Sequence, residues 1–205
     1  MKIIPALIAK NQEELDKRLK KVINHFDTFQ IDVMDGRFVK NKSFNFNFKL
    51  PKNKKFEAHL MVNDPINWVN KNYNKVDIII FHIESIKDKK ILKFIKEIKK
   101  KRKKVGIAIN PNTPINTIIP YLSKINLVLL MSVNPGKYGS KFISSTLTKA
   151  KELKKIKKRL VIEIDGGINP QNIKKALQAG VFRFAVGSYL QKNKDIIKAK
   201  HDMKI

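Results

Sequence analysis

Four stretches of the 205-residue chain set acid/base or metal-binding side chains beside short apolar runs. They are Ile31-Asp32-Val33-Met34-Asp35-Gly36, Ala58-His59-Leu60-Met61, Phe81-His82-Ile83-Glu84 and Ile164-Asp165-Gly166-Gly167. Two carboxylates facing one carbon can take a proton from one side and return one on the other. The enediolate made in between needs a positive charge nearby, which a divalent metal supplies. An imidazole at the same place adds a neutral metal ligand. In an extended chain Asp32 and Met34 share one face and Val33 and Asp35 the other, while His59 and Met61 point together. Asp35 is therefore expected to face away from Asp32 and to serve structure. His82 could either reach a substrate or pack.

A second set of residues points to phosphate. Gly136, Gly139, Gly166, Gly167 and Gly187, followed by Ser188, fall after the last three apolar runs. Glycines there leave backbone N–H groups open to an anion, with help from a helix N-terminus. Thioethers at Met34, Met61 and Met131 stand at three of the run ends.

Positioning these groups needs a repeated frame. Eight β-rich runs occur at Ile3–Ile8, Phe29–Val33, Phe56–Val62, Val76–Ile83, Val105–Ile109, Leu127–Val133, Leu160–Ile164 and Arg183–Val186. Several are near-continuous apolar runs, as parallel strands buried on both faces require. Amphipathic segments lie between them. Asn11 with Glu14 reads as a helix start, Asn169-Pro170 as another, and Gly180 as a stop. Ile91, Leu92, Phe94, Ile95 and Ile98 form one apolar helical face. Residues 37–55 show little helical period and read mostly as loop, with room for one short helix. Strict βα alternation over this length predicts one (β/α)₈ TIM barrel spanning residues 1–205, with chemistry at the strand C-termini. Asp32 and Asp165 then come from the second and seventh strands, on opposite sides of the ring. Trp68 reads as packing, and His25 and His201 as surface residues.

Composition narrows the function. The chain has no cysteine, which excludes disulfides and thiolate chemistry. Its N-terminal apolar run is too short to span a membrane and lacks a signal-peptide layout, so a soluble cytoplasmic protein is expected. The formal charge is +27. Lysines recur on nearly every predicted helix, as at Lys17, Lys20 and Lys21, at Lys96, Lys99 and Lys100, and at Lys154, Lys155 and Lys157. They read as the wet faces of many helices, not as one nucleic-acid-binding stripe. The charge should still steer anionic substrates.

From Ile3 to about Leu190 the sequence resembles the ribulose-phosphate 3-epimerase family of the pentose phosphate pathway. The resemblance rests on Asp32-Val33-Met34-Asp35-Gly36-Arg37-Phe38-Val39, His59-Leu60-Met61, Leu130-Met131-Ser132-Val133-Asn134-Pro135-Gly136 and Asp165-Gly166-Gly167-Ile168-Asn169, in order. It implies a ribulose-phosphate-binding barrel that inverts carbon 3 of a ketopentose 5-phosphate with one divalent metal ion (Zn, Fe, Mn or Co). It implies Asp32 and Asp165 as acid/base pair and metal ligands, and His59 as a ligand that also meets substrate. Met34, Met61 and Met131 resemble the thioethers beside the reacting carbons. Asn134, Gly136, Gly139, Gly166, Gly167, Gly187 and Ser188 fall in the substrate and phosphate segments. The family also suggests a homo-oligomer.

The sequence departs from the family at three places. Gln30 stands where the family usually has a histidine ligand, and an amide is the poorer zinc ligand. The stretch Pro5-Ala6-Leu7-Ile8-Ala9 covers a substrate-contacting serine of the family, and Ala9 offers no hydroxyl. Tyr138 replaces a glycine of the phosphate loop. Two neighbouring readings stay open: an epimerase of a ketohexose 6-phosphate, and a sugar-phosphate-binding barrel with impaired catalysis.

Overall fold

A computed structural model of the chain describes residues 1–136 and 139–204. Eight parallel strands close into a barrel: β1 (Lys2–Leu7), β2 (Thr28–Asp35), β4 (Lys55–Met61), β5 (Ile78–His82), β6 (Lys104–Ile109), β7 (Leu127–Met131), β8 (Val161–Asp165) and β9 (Arg183–Val186). Closure comes from β1, which pairs with β9 along Lys2–Pro5 and with β2 at Ala6↔Gln30 and Leu7↔Ile31. The fold class expected from strand and helix alternation is the one observed.

The helices follow the local signals. In α1 (Gln12–Val22) the Asn11 side chain caps the first turn by accepting from the Glu14 N–H at 2.9 Å. In α5 (Pro170–Gln178) Asn169 and Asn172 form a reciprocal capping box. Gly180 ends it at φ +90°, a conformation glycine adopts without a Cβ penalty. The remaining helices are α2 (Pro65–Asn72), α3 (Asp88–Lys100), α4 (Thr146–Ile156), α6 (Ser188–Lys192) and α7 (Ile196–Asp202). Lys17, Lys20, Lys96, Lys99, Lys100 and Lys155 are exposed on their helices, while Leu15, Leu19, Ile91, Phe94, Ile95 and Leu153 face inward.

Two crossovers lack an α-helix. Residues 37–54 carry only the two-residue strand β3 (Lys42–Ser43), which folds back antiparallel on Met34 and Asp35 of β2. Phe44, Phe46 and Phe48 pack there as a ring cluster instead of a helical face. Between β6 and β7 the chain makes two 3₁₀ turns, Ile115–Thr117 and Ile119–Tyr121. Pro111, Pro114 and Pro120 lie in that segment and deny a helix its N–H donors.

Inward-facing residues stack in layers. At the N-terminal end Arg183 binds two buried carboxylates, Glu163 at 2.5 Å and Glu57. Above them lies an apolar plug of Ile80, Ala108, Leu127, Leu129, Met131 and Val133. Gly106 admits it, since a Cβ there would meet Ile80 and Leu127 at 2.9 Å. The larger core fills the space between barrel and helices.

Candidate active site

The strand C-termini bring Asp32, His59 and Asp165 together. Register sets Asp32 beside His59 on neighbouring strands and Asp165 beside Met131 and Ala185. Gln30, two residues before Asp32, points the same way. Its Nε2 donates to Asp32 Oδ1 and to Asp165 Oδ2, both at 2.7 Å. His59 Nδ1 lies 3.2 Å from the same two oxygens. Strands on different sides of the lumen thus deliver two acids to one amide and one imidazole.

Electrostatics follow from that crowding. Burial and the Asp165 charge raise the Asp32 carboxyl to about 6, against the hydrogen bonds from His59 and Gln30. Burial alone would lower His59, but hydrogen bonds to Asp165 and Asp32 outweigh it and hold the imidazole up at about 9. The ligand atoms of Asp32, His59 and Asp165 all lie within 4.8 Å of one another, a group that could hold a metal ion.

The acids form the floor of a recess. Its walls include Ala6, Ile8, Met61, Met131, Val133, Gly136, Gly139, Gly166, Gly167, Gly187 and Ser188. The glycines are there for shape. Gly166 sits at φ +109°, and a Cβ on it would lie 2.4 Å from Val133 Cγ2. Gly167 sits at φ +65°, with the backbone of Ser140 and Phe142 2.9 Å from where a Cβ would go. Ser132 supports this turn: its N–H donates to the Asp165 carbonyl at 2.7 Å, and its hydroxyl lies 2.6 Å from the Gly166 carbonyl. Asn172 holds the Gly167 carbonyl at 2.7 Å. Asp35 faces away, as expected, and accepts from the N–H groups of Arg37, Phe38 and Asn63. Its loop crosses to β7, where Asn41 donates to the Gly136 carbonyl.

Several expected residues sit elsewhere. His59 is fully buried beneath the acids and is not part of the recess wall. Met34 packs behind Met61 with Val39 and lines a neighbouring groove instead. Asn134 is exposed and outside the recess wall. Ala9 is buried against the core, with its carbonyl accepting from the Phe44 N–H at 2.8 Å, and the small residue that faces the recess is Ala6. Strand parity decides this, because Ala6 pairs with the inward Gln30. Tyr138 lies outside the described residues. His82 does not reach the recess. It is fully buried, with Nε2 2.8 Å from His59 Nε2 and Nδ1 3.2 Å from Glu84 Oε2. Burial pushes His82 down to about 4 despite Glu84. Burial would raise Glu84, but hydrogen bonds from His82, Thr113 and the Asn110 N–H hold it at about 2.

A closed parallel barrel with paired carboxylates at its C-terminal mouth defines an enzyme of the (β/α)₈ class. Solved structures agree on the fold. A 3-hexulose-6-phosphate synthase superposes with TM-score 0.71 at 15% identity, covering 99% of this chain and 98% of that one. The tryptophan synthase A-subunit from Pyrococcus furiosus does so with TM-score 0.71 at 13% identity, covering 98% and 97%. Sequence comparison goes further. The profile of the ribulose-phosphate 3 epimerase family matches residues 2–191. The ribulose-phosphate 3-epimerase of Bacillus subtilis (strain 168) is 33% identical over 97% of this chain and 96% of its own. That of Helicobacter pylori (strain ATCC 700392 / 26695) is 35% identical over 95% and 93%. That of Buchnera aphidicola subsp. Baizongia pistaciae (strain Bp) is 39% identical over 79% and 75%. The chain belongs to the ribulose-phosphate 3-epimerase family and is an isomerase of the racemase and epimerase class.

Proposed function

We propose that the enzyme interconverts D-ribulose 5-phosphate and D-xylulose 5-phosphate by inverting carbon 3. The observation that carries this reading is the convergence of Asp32 and Asp165 on one buried amide and one imidazole, at the floor of a glycine-walled recess. The two aspartates work as the acid/base pair. One carboxylate takes the proton from carbon 3, and the other, in its acid form, delivers a proton to the opposite face. Burial suits Asp32 to this exchange, because it brings its proton affinity toward neutral pH.

The donor set fits one divalent ion, Zn, Fe, Mn or Co, held by Asp32, His59 and Asp165. Gln30 is the weaker fourth donor. Its Oε1 is buried without a hydrogen-bond partner, and exchanging the two ends of the amide would present that oxygen to the acids. When bound, the ion supplies positive charge for the enediolate oxygens. Met61 and Met131 flank the reacting carbons with polarizable thioethers and keep water out. Gly136, Gly139, Gly166, Gly167, Gly187 and Ser188 receive the 5-phosphate through backbone N–H groups. Ala6 contributes no hydroxyl to the substrate, so hydrogen bonding on that side falls to the other walls.

A coupled assay with metal analysis on one preparation tests the proposal. Turnover of the pentulose 5-phosphates is expected, with deuterium entering at carbon 3 in D₂O. Preference for a ketohexose 6-phosphate across a sugar-phosphate panel would reassign the substrate. Sugar-phosphate binding without exchange at carbon 3 would make this an impaired barrel. Full activity in metal-free protein would refute the metal-assisted mechanism.

A further inference from the structure

Among the described residues, one chain of polar side chains runs away from the site, from the buried His59 and His82 out to Glu84 at the surface. We infer that His82 and Glu84 are positioning residues that keep a proton on His59 Nε2, so that Nδ1 is the nitrogen facing Asp32 and Asp165, donating to them until a cation takes its lone pair. The inference rests on the metal reading above only for its effect on affinity; the proton arrangement stands by itself.

The argument starts at the far end. Glu84 is a carboxylate and can only accept. Its Oε1 accepts from the Asn110 N–H at 2.8 Å and from the Thr113 hydroxyl. Lys149 fixes that loop from the other side, its Nζ donating to the carbonyls of Asn110 at 3.1 Å and Thr113 at 2.6 Å. The carboxylate therefore cannot turn, and Oε2 faces His82 Nδ1 at 3.2 Å. An acceptor there places the His82 proton on Nδ1 and leaves Nε2 as a lone pair. That lone pair faces His59 Nε2 at 2.8 Å, which must then carry a proton. His59 is left with Nδ1 for the two acids, or for an ion between them. The Phe38 ring, 4.8 Å from the His82 ring, closes this side of the relay with an apolar surface. A metal-bound imidazole is oriented by the partner of its other nitrogen. Here that partner is a second imidazole whose own tautomer is dictated by an anchored carboxylate.

Nitrogen-15 NMR of histidine-labelled, metal-free protein reads the tautomers directly. The expected result is His82 protonated on Nδ1 alone; a proton on Nε2 would overturn the inference. Glu84→Gln provides the second reading. Only the oxygen of the new amide can face the fixed Asn110 N–H, so its NH₂ must face His82. The His82 proton should then move to Nε2, against His59. Zn²⁺ affinity, measured by competition with a chelator, should fall about 10–100-fold. His82→Phe removes the acceptor for His59 without adding a polar group and should show a similar loss. Unchanged affinity in both variants would overturn the inference. A wild-type protein that binds no Zn²⁺ would instead sink the metal reading, and the tautomer measurement would still decide the relay.

Discussion

Each of the two acids carries one oxygen that serves both Gln30 and His59, so neither can change its proton without the others responding. Asp165→Asn keeps the shape and removes one of the two proposed proton-transfer groups, and turnover should drop about a thousandfold. Near-normal turnover in a folded variant would remove Asp165 from the mechanism. His59 gives a separate prediction for metal-free protein. Its folded value of about 9 lies above the ordinary 6.5, so the stabilisation it provides is full below pH 6.5 and is lost as pH rises through 9. At 1.36 kcal/mol per unit the loss is on the order of 3 kcal/mol. Urea denaturation at pH 6.5 and pH 9 checks it, and His59→Asn should flatten the difference. At this scale the sequence was most legible where a side chain's placement follows from its position on a strand, as for Asp32, Asp35 and Asp165. It was least legible for His82. The His82-Ile83-Glu84 spacing was visible, but only the fold shows that the imidazole turns down onto His59.

Elements were readable wherever a local signal names its own terminus. Asn11, Asn169-Pro170 and Gly180 start or stop helices where the sequence says they should. The helix-free crossovers were harder. Phe44, Phe46 and Phe48 stand at every second position, and that spacing serves a ring cluster as well as a strand. On the recess side of β1 the residue that matters is Ala6, three before Ala9, because neither methyl group carries chemistry that marks a direction; only pairing with Gln30 reveals it. The β8–α5 turn makes the sharpest prediction. Gly166→Ala would force a Cβ into Val133 at an unfavourable φ. It should cost about 1–3 kcal/mol of stability and raise KM for the sugar phosphate. Thermal melts and steady-state kinetics on one variant separate the two effects.

The whole barrel separates its ionic ends with an apolar plug. Arg183, Glu57 and Glu163 lie at the end away from the recess, and the sequence hid them because single polar residues in apolar runs look like interruptions. Arg183→Met strands two buried carboxylates and should cost about 3–5 kcal/mol, read by chemical denaturation. Replacing all three by apolar residues of similar volume should recover most of that loss. The +27 charge acts on the outside. If it steers the anionic substrate, kcat/KM should fall as ionic strength rises, with kcat little changed. Finally, Gln30 and His59 hold the two acids in place through hydrogen bonds of their own. A chain built this way can complete its fold before any ion is at hand. Maturation then becomes an exchange, with a cation entering as the site gives up protons. The enzyme's working fraction would then follow metal supply and ambient acidity together, since both decide whether the acids hold protons or a cation.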